Sequence, residues 1–193
     1  MRDEIQAAIV AGGKSLRFGS PKLLAGYRNK RLIDIALEKA AELSTLTAII
    51  SSGQMTFDIP DIDEFTDVYP DKGPLGGIYT ALVNAKRGWV AILPGDMPFL
   101  QKETYEVLWR SRDGMRPVVA VSKSGMEPMV SIWPVSCARQ LERFLLSNVL
   151  KMHLVLDKCQ AGQIDIAAVD PSISDRCFVN INRVEDLEGL VDS

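Results

Sequence analysis

The chain has few of the residues that build disulfide frameworks or histidine-rich metal centres. Its 193 residues include three cysteines and one histidine. Cys137, Cys159 and Cys177 are far apart and form no Cys-x-x-Cys pair, which argues against a disulfide framework and against a zinc site. The lone histidine, His153, is interpreted as a helix-surface or partly buried residue. This cysteine usage is typical of a reducing compartment, so we predict a cytoplasmic protein.

Long hydrophobic runs and an excess of one charge are also missing. No apolar run approaches the ~20 residues that cross a bilayer, and residues 1–4 lack the apolar core of a secretion signal. With 22 Lys and Arg against 25 Asp and Glu, the net charge is −3. We therefore expect neither a nucleic-acid partner nor a membrane partner. Length and composition predict one soluble globular domain over residues 1–193.

The most informative segment that is present follows the first apolar run. Residues 5–10 predict a buried strand, and Gly12 and Gly13 then let the backbone approach a ligand closely. The loop beyond them carries three cations, namely Lys14, Arg17 and Lys22. Backbone amides and cations after an apolar strand are what a phosphate site requires at the carboxyl end of that strand.

Two known phosphate motifs do not fit this segment. A P-loop needs a glycine five positions before Gly13, where this chain has Ala8. The spacing of Gly12, Gly13 and Gly19 also departs from the dinucleotide fingerprint. A plain strand-to-helix turn with solvated lysines therefore remains the alternative interpretation.

Apolar runs alternate with helical patterns along the chain. Strands are predicted over residues 5–10, 46–50, 90–93, 118–121, 129–133, 164–169 and 177–180. Helices are predicted over residues 32–43, 74–86, 102–110, 134–146, 148–158 and 184–191. A surface loop is predicted over residues 54–63. This alternation predicts a three-layer α/β fold with a mainly parallel sheet, whose ligands sit beyond the carboxyl ends of the strands.

A second segment places a carboxylate at a predicted strand end. Asp96 follows residues 90–93 and lies between Pro94 and Pro98, which stiffen the backbone around it. Such carboxylates bind Mg²⁺ together with substrate phosphates. Asp96 as the cap of the helix that starts near Gln101 is the alternative, and we favour metal binding.

A third segment surrounds a predicted helix start. Residues 73–77 contain three glycines, so a flat or charged ligand can approach the backbone beside free helix amides. Asp67 precedes them and can accept hydrogen bonds from a base or hold a metal-bound water. A glycine-rich turn that caps a helix explains this segment equally well.

The later signals are weaker. Glu127 is interpreted as a substrate contact or an exposed turn residue. Asn180 and Asn182 follow a predicted strand and can bind a polar substrate. Taken alone, they favour a helix cap instead, because Glu185 lies three residues after Asn182 in capping-box position.

Taken in order, these segments resemble the molybdenum cofactor guanylyltransferases, the MobA family of nucleotidyltransferases. The matching pieces span nearly the whole chain: residues 10–13 with Arg17, Gly19 and Lys22, residues 73–77, residues 94–99, Glu127 with Pro128, and residues 180–182 with 185–187. The resemblance implies a Rossmann-like nucleotidyltransferase fold. It also implies that the chain transfers GMP from Mg²⁺-GTP to the terminal phosphate of molybdopterin and releases pyrophosphate.

The resemblance also implies roles for individual residues. The nucleotide would be held by Val10, Ala11, Gly12, Gly13, Lys22, Asp67, Gly73, Gly77 and Asp96. Asp96 would bind Mg²⁺ and act in catalysis with Arg17 and Lys22, while Asn180, Asn182 and Lys151 would bind the acceptor. Asp71 is a rival to Asp67. Residues 1–100 would form the GTP-binding part and residues 101–193 the acceptor-binding part, with transient contacts to cofactor-synthesis or molybdoenzyme-maturation proteins.

Several departures and alternatives remain open at this point. Gly76 and Gly95 replace other small residues of the family, and residues 51–53 lack an asparagine that relatives often carry, which leaves the guanine contacts open. A phosphate nucleophile is ionised near neutral pH and needs no general base. The alternatives are a guanylyl- or cytidylyltransferase for another acceptor, such as cobinamide phosphate or a sugar phosphate, and a non-catalytic nucleotide-binding accessory protein.

Overall fold

The computed structural model describes residues 1–11, 22–27, 29–53 and 56–181. Its strands are β1 (Ile5–Val10), β2 (Gly26–Tyr27), β3 (Lys30–Arg31), β4 (Thr47–Ser51), β5 (Asp63–Thr66), β6 (Trp89–Pro94), β7 (Val118–Ser122), β8 (Gly125–Pro134) and β9 (Gly162–Asp165). Its helices are α1 (Leu32–Leu43), α2 (Pro74–Val83), α3 (Lys102–Arg110), α4 (Ala138–Leu146), α5 (Met152–Lys158) and α6 (Ile166–Val169). No helix in these ranges has the length and apolar character needed to cross a membrane.

A seven-stranded sheet organises the molecule, in the strand order β5-β4-β1-β6-β8-β7-β9. β1 pairs in parallel with β4 and β6, and β5 pairs in parallel with β4. β8 is antiparallel to both β6 and β7, while β9 is parallel to β7. Every strand of this sheet except β8 therefore runs in one direction, and their carboxyl ends meet at a single edge.

Helices cover both faces of the sheet, which explains why the central strands are continuously apolar. All six residues of β1 are buried. Ile5, Ala7 and Ile9 belong to the core that includes α1 and α3, whereas Ala8 and Val10 belong to the core that includes α2, α4 and α5. Alternate side chains thus fill two cores, as the pleat of a strand requires. The three-layer α/β prediction with a mainly parallel sheet is confirmed.

Helix α1 has the bounds that its sequence pattern predicts. Leu32, Ile33, Ala36, Ala40 and Leu43 form its buried stripe. Its start is fixed because the Asp34 carboxylate accepts the backbone N–H of Arg31, at 3.1 Å. Helix α2 begins with Pro74 as predicted, but it ends at Val83, three residues earlier than the pattern suggests.

The later elements differ from the predictions in specific ways. Residues 164–169 are not one strand: β9 ends at Asp165, whose carboxylate accepts the N–H of Ala168 at 3.0 Å and starts α6. The predicted strand 177–180 is wrong, because a 3-10 helix spans Asp175–Phe178 and is capped by Ser174. The predicted helices 134–146 and 148–158 begin later, as α4 and α5.

β5 was not predicted, and it forms the edge of the sheet beyond β4. The predicted helix 184–191 lies outside the described residues.

Candidate functional site

An ion pair at the carboxyl edge of the sheet joins two of the predicted site residues. Lys22 Nζ donates to Asp96 Oδ2 at 2.6 Å, across 74 positions of sequence. Val10 at the end of β1 is in register with Pro94 at the end of β6, so the segments after both strands emerge side by side. The Lys22 and Asp96 side chains are 15% and 28% exposed, which leaves the pair accessible from one side.

Asp96 is held by its neighbours on two sides. The backbone carbonyl of Asp96 accepts the N–H of Ile181, at 2.9 Å. Gly95 is buried, and a Cβ there would lie 2.8 Å from Leu23 Cδ1, so the absence of a side chain lets the turn Lys22–Leu24 pack over the end of β6. The alternative role of Asp96 as the cap of α3 is wrong, because the cap position of that helix is Gln101.

The Asp96 carboxylate is an oxygen donor of the kind that binds Mg²⁺ in proteins. Within residues 1–11, 22–27, 29–53 and 56–181, no cluster of three or more His, Cys, Asp or Glu side chains could hold a metal. Mg²⁺ does not need such a cluster, since it binds through one or two carboxylates and completes its shell with substrate phosphates and water. A single, partly exposed carboxylate beside a lysine therefore fits a metal that arrives with a polyphosphate.

Asp67 lies at the same edge, one residue beyond β5. Its backbone N–H donates to the carbonyl of Ser51 at 2.8 Å, which continues the parallel pairing of β4 and β5. Its Oδ1 is buried and has no hydrogen-bond partner among the described residues. Burial raises the pKa of the Asp67 carboxyl to about 6. A desolvated acceptor of this kind suits a ligand that supplies N–H donors.

The geometry distinguishes Asp67 from its predicted rival. Asp71 is exposed in the following turn and has a positive φ of 58°. Asp67 is half-buried against the sheet edge. Asp67 is therefore the more buried of the two carboxylates.

The first turn of α2 packs directly on the end of β1. A Cβ on Gly77 would lie only 2.6 Å from Val10 Cγ1, and a Cβ on Gly76 would lie 2.8 Å from the carbonyl of Tyr69. Gly73, in the cap position of α2, has a φ of 61°, which glycine adopts without strain. These glycines therefore bring the predicted residues Val10, Gly73 and Gly77 to one place.

The predicted acceptor residues separate into two locations. Asn180 is exposed and adjoins Ile181, whose N–H binds Asp96. Lys151 precedes α5, and the residues on both sides of it pack against the core of α2 and α4. Ile181 belongs to the other core. Asn180 is thus adjacent in sequence to a residue that binds Asp96, whereas the residues that flank Lys151 pack in the core on the other face of the sheet.

Some predicted site residues cannot be placed. Gly12, Gly13, Arg17 and Asn182, together with Lys14 and Gly19 of the glycine-rich segment, lie outside the described residues. Ala11, which is described, donates its N–H to the carbonyl of Ile50 at 2.8 Å. That bond extends the β1–β4 pairing by one residue toward the glycine-rich segment.

The segment that leads to Asn180 carries residues that the sequence analysis did not single out. Lys123 pairs with Asp175 at 2.7 Å, which ties the β7–β8 turn to the 3-10 helix before Asn180. The Arg176 guanidinium lies 4.8 Å from the centre of the Phe99 ring. Of the residues in these contacts, only Phe99 belongs to a segment that the sequence marked as functional, namely residues 94–99. Glu127, by contrast, was singled out from the sequence. It lies in β8, and its carboxylate accepts the hydroxyl of Ser122 at 2.8 Å, so its interpretation as an exposed turn residue is wrong.

Comparison with protein families places most of the chain in one of them. The family described as the MobA-like NTP transferase domain matches residues 7–160. A probable molybdenum cofactor guanylyltransferase of Halalkalibacterium halodurans is 29% identical over 187 residues, covering 93% of this chain and 93% of that protein. A protein of the same name from Aquifex aeolicus is 26% identical, covering 95% of this chain and 88% of that protein.

Solved structures agree on the fold. The molybdopterin-guanine dinucleotide biosynthesis protein A of Archaeoglobus fulgidus superposes with a TM-score of 0.76 and 23% identity, covering 95% of both chains. A putative protein of Aquifex aeolicus superposes with a TM-score of 0.74 and 23% identity, covering 93% of both chains. At these identities the likeness establishes the architecture, and the chemistry has to be argued from the residues.

Proposed function

Because this chain belongs to the MobA-like NTP transferase family, we propose that it transfers GMP from GTP to the terminal phosphate of molybdopterin and releases pyrophosphate. The observation that carries this proposal is the Lys22–Asp96 pair, 2.6 Å apart at the carboxyl edge of a mainly parallel sheet. It puts a cation and a lone carboxylate where α/β folds bind nucleotides. The similarity to proteins named molybdenum cofactor guanylyltransferase over nearly the whole chain supports the choice of nucleotide and acceptor.

The nucleotide would lie across the ends of β1, β5 and β6. Val10, Ala11, Gly12, Gly13 and Lys22 would hold its sugar and phosphates, in accord with the family resemblance. Gly73 and Gly77 would let the first turn of α2 approach it.

Asp67 would recognise the base. Guanine presents two adjacent N–H donors on its pairing edge, and a carboxylate can accept both at once. The buried, unpartnered Oδ1 of Asp67 supports this role. Cytosine and adenine present a single amino group beside an acceptor atom, which a carboxylate repels.

Catalysis would rest on positioning and charge. The acceptor phosphate is already ionised, so no side chain has to remove a proton from it. Lys22 and Arg17 would offset the negative charge that grows on the α-phosphate and on the departing pyrophosphate. Asp96 would hold Mg²⁺, which supplies Lewis-acid stabilisation when it is bound. Because Lys22 already touches Asp96, one side of the site carries both the cation and the metal ligand.

The acceptor would approach from the segment after β6. Asn180, whose neighbour Ile181 donates its backbone N–H to the Asp96 carbonyl, would bind the acceptor, and Asn182 and Lys151 would do so on the strength of the resemblance. Residues 1–193 would act as one domain, with nucleotide binding in residues 1–100 and acceptor binding in residues 101–193. Transient contacts with cofactor-synthesis or molybdoenzyme-maturation proteins would deliver and collect the cofactor.

The proposal is tested with the purified chain, Mg²⁺, molybdopterin and each of GTP, CTP and ATP. We expect pyrophosphate and a guanine dinucleotide with GTP alone. Transfer from CTP would make the chain a cytidylyltransferase, and transfer only to cobinamide phosphate or a sugar phosphate would change the acceptor. GTP binding without pyrophosphate release with any acceptor would indicate an accessory protein and contradict the enzymatic proposal.

A further inference from the structure

The segment that connects β5 to α2 carries Asp67 at its start and Gly73 at its end. We name residues 67–73 the nucleotide loop. Backbone contacts fix its beginning, since Asp67 donates to the carbonyl of Ser51 at 2.8 Å and Val68 donates to Thr80 Oγ1 at 3.0 Å. Beyond Val68, side-chain contacts of Tyr69 and Lys72 hold the loop to its surroundings.

A single carboxylate oxygen on α4 receives two phenol hydroxyls beside this loop. Glu142 Oε1 accepts from Tyr79 at 2.9 Å and from Tyr69 at 3.2 Å. Tyr69 belongs to the nucleotide loop and Tyr79 is buried on α2. The two rings meet edge to face, with centres 5.3 Å apart. The loop, α2 and α4 are therefore joined at one point.

Both phenol hydroxyls are protonated, as donation to the Glu142 carboxylate requires. Burial, with a smaller contribution from the Glu142 carboxylate, raises the pKa of Tyr79 to about 12. The pKa of Tyr69 is raised for the same reasons. Each hydroxyl thus keeps its proton near neutral pH and donates it to the shared oxygen.

A second contact ties the other end of the loop to the same support. Lys72 Nζ donates to Asn148 Oδ1 at 3.1 Å. Asn148 lies two residues after the end of α4, where the chain turns with a φ of 56°. Two side chains of the loop, Tyr69 and Lys72, are therefore held by one helix and the turn that follows it.

Helix α4 is a firm support for these contacts. Leu141 and Leu145 are buried in the same core as α2, at 0% and 1% exposure. Glu142 lies between them in sequence and is half-buried. Because the buried side chains of Leu141 and Leu145 anchor α4 in the core, the Glu142 carboxylate has a fixed position to which the loop can bind.

We propose that Glu142 is a positioning residue, whose carboxylate holds Tyr69 and so keeps residues 69–73 of the nucleotide loop, between the backbone-fixed Asp67 and the first turn of α2, in the geometry that admits the base to Asp67. It acts through Tyr69 and touches no substrate. This inference rests on the proposed function for the identity of the ligand. Since Asp67 would bind the base equally in the ground state and in the transition state, loss of the contact weakens substrate binding and leaves the chemical step unchanged.

The test compares two substitutions at this position. Glu142→Ala removes the acceptor, whereas Glu142→Gln keeps an oxygen that can accept both hydroxyls. We expect Glu142→Ala to raise the KM for GTP about tenfold with kcat within about twofold, the size of effect that loss of one charged hydrogen-bond acceptor produces. Glu142→Gln should restore the KM to within about threefold of the wild-type value.

A matched control is available on another helix. Glu106 on α3 is 35% exposed and accepts from Arg110 at 3.2 Å, and Glu106→Ala should leave the KM for GTP unchanged. Hydrogen exchange of the amides of residues 67–73, measured without substrate, should speed up in Glu142→Ala and not in Glu142→Gln. If Glu142→Ala does not fold, Tyr69→Phe removes only one donor and should shift KM and exchange in the same direction by less.

Three outcomes would overturn the proposal: unchanged KM and exchange in Glu142→Ala, a Glu142→Gln variant as impaired as Glu142→Ala, or a fall in kcat with KM preserved. Failure of the proposed function looks different, because the wild-type chain would then release no pyrophosphate. In that case GTP titrations and the exchange rates of the nucleotide loop still decide whether Glu142 positions it.

Discussion

The two halves of the candidate site are built differently. On the nucleotide side, Ala11, Asp67 and Asp96 each follow a buried or edge-paired parallel strand, and backbone pairing carries them to the sheet edge. On the acceptor side, Asn180 follows a 3-10 helix that is held by the Lys123–Asp175 ion pair and by the Ile181–Asp96 hydrogen bond. The first side is fixed by the sheet, whereas the second is fixed by a few polar contacts.

This difference predicts how each half responds to change. A residue set by buried strands is hard to displace, so its substitution acts through the chemistry that is lost. A segment set by exposed ion pairs is easier to displace and responds to salt. We therefore expect substitutions on the proposed nucleotide side to have large effects, and those on the proposed acceptor side to have smaller effects that depend strongly on ionic strength.

The largest expected effect is at Asp96. Asp96→Asn keeps the shape of the side chain and removes the charge that pairs with Lys22 and would hold Mg²⁺. We expect kcat for pyrophosphate release to fall at least ~10³-fold, with thermal stability close to that of the wild type. Asp113→Asn, at an exposed pair with Arg116, is the control and should keep full activity. Activity of Asp96→Asn within tenfold of the wild type would remove Asp96 from the catalytic role.

The next effect tests the close packing of α2 on β1. A Cβ on Gly77 would lie 2.6 Å from Val10 Cγ1, so Gly77→Ala must displace the end of β1 or the start of α2. We expect a loss of about 1–3 kcal/mol in the free energy of unfolding, measured with urea. Gly88→Ala is the matched control, because nothing lies within 4 Å of its added Cβ. Equal stability of the two variants would show that α2 can move away from β1 without cost.

The pH dependence of nucleotide binding tests the role of Asp67. Its pKa of about 6 means that the carboxylate required for the base is lost as the pH falls through 6. We expect the Kd for GTP to rise about tenfold between pH 7.5 and pH 5, measured by titration calorimetry. Asp67→Asn should bind GTP weakly with no such dependence. A pH-independent Kd in the wild type would assign base recognition to another residue.

The raised pKa of Asp67 also predicts how the free energy of unfolding depends on pH. The dependence is opposite to that of a carboxylate whose pKa is lowered by an ion pair. The folded pKa of Asp67 is raised above the unfolded value, so protonation favours the folded state. The ionised Asp67 carboxylate therefore lowers the free energy of unfolding. This destabilisation is absent below about pH 4 and complete above about pH 6. Asp67→Asn should therefore stabilise the fold by roughly 1 kcal/mol at pH 7.5, a reduced figure because the half-buried group retains solvent. At pH 4 the two proteins should unfold at the same urea concentration.

The sequence predicts the parallel framework well and the polar edges poorly, for physical reasons. A strand buried on both faces, such as β1, reads as an apolar run, and α1 shows its buried stripe directly. β5 was missed because it is an edge strand of mixed polarity. The predicted strand at residues 177–180 is wrong because Ser174 caps a 3-10 helix that takes up Cys177 and Phe178.

The contact between two of the predicted site residues also depends on the fold. Lys22 and Asp96 were predicted separately because glycine, proline and charge are visible locally, but only the fold shows that they touch. Glu142 gave no signal, since a glutamate on an amphipathic helix is usually a solvated residue. Its importance depends on Tyr69 and Tyr79, which lie on other elements. Contacts of that kind are set by tertiary packing and have no sequence pattern.

The smallest expected effect is on the acceptor side, at Lys123. Lys123→Met keeps the length of the side chain and removes the charge that pairs with Asp175, where the lysine is exposed and the carboxylate is half-buried. Because that pair ties the β7–β8 turn to the segment before Asn180, its loss should raise the KM for the acceptor about two- to threefold and leave the KM for GTP unchanged.

The acceptor KM measured at high ionic strength tests whether the effect of Lys123 comes from its ion pair with Asp175. Raising the ionic strength to about 1 M shortens the screening length to about 3 Å, so the Lys123–Asp175 attraction is weakened in the wild type as well. The acceptor KM of wild type and Lys123→Met should then converge, after correction for the salt dependence of a Lys158→Met control. A KM difference that persists at high salt would mean that Lys123 contacts the acceptor itself, and a rise in the GTP KM would mean that the two halves of the site are coupled.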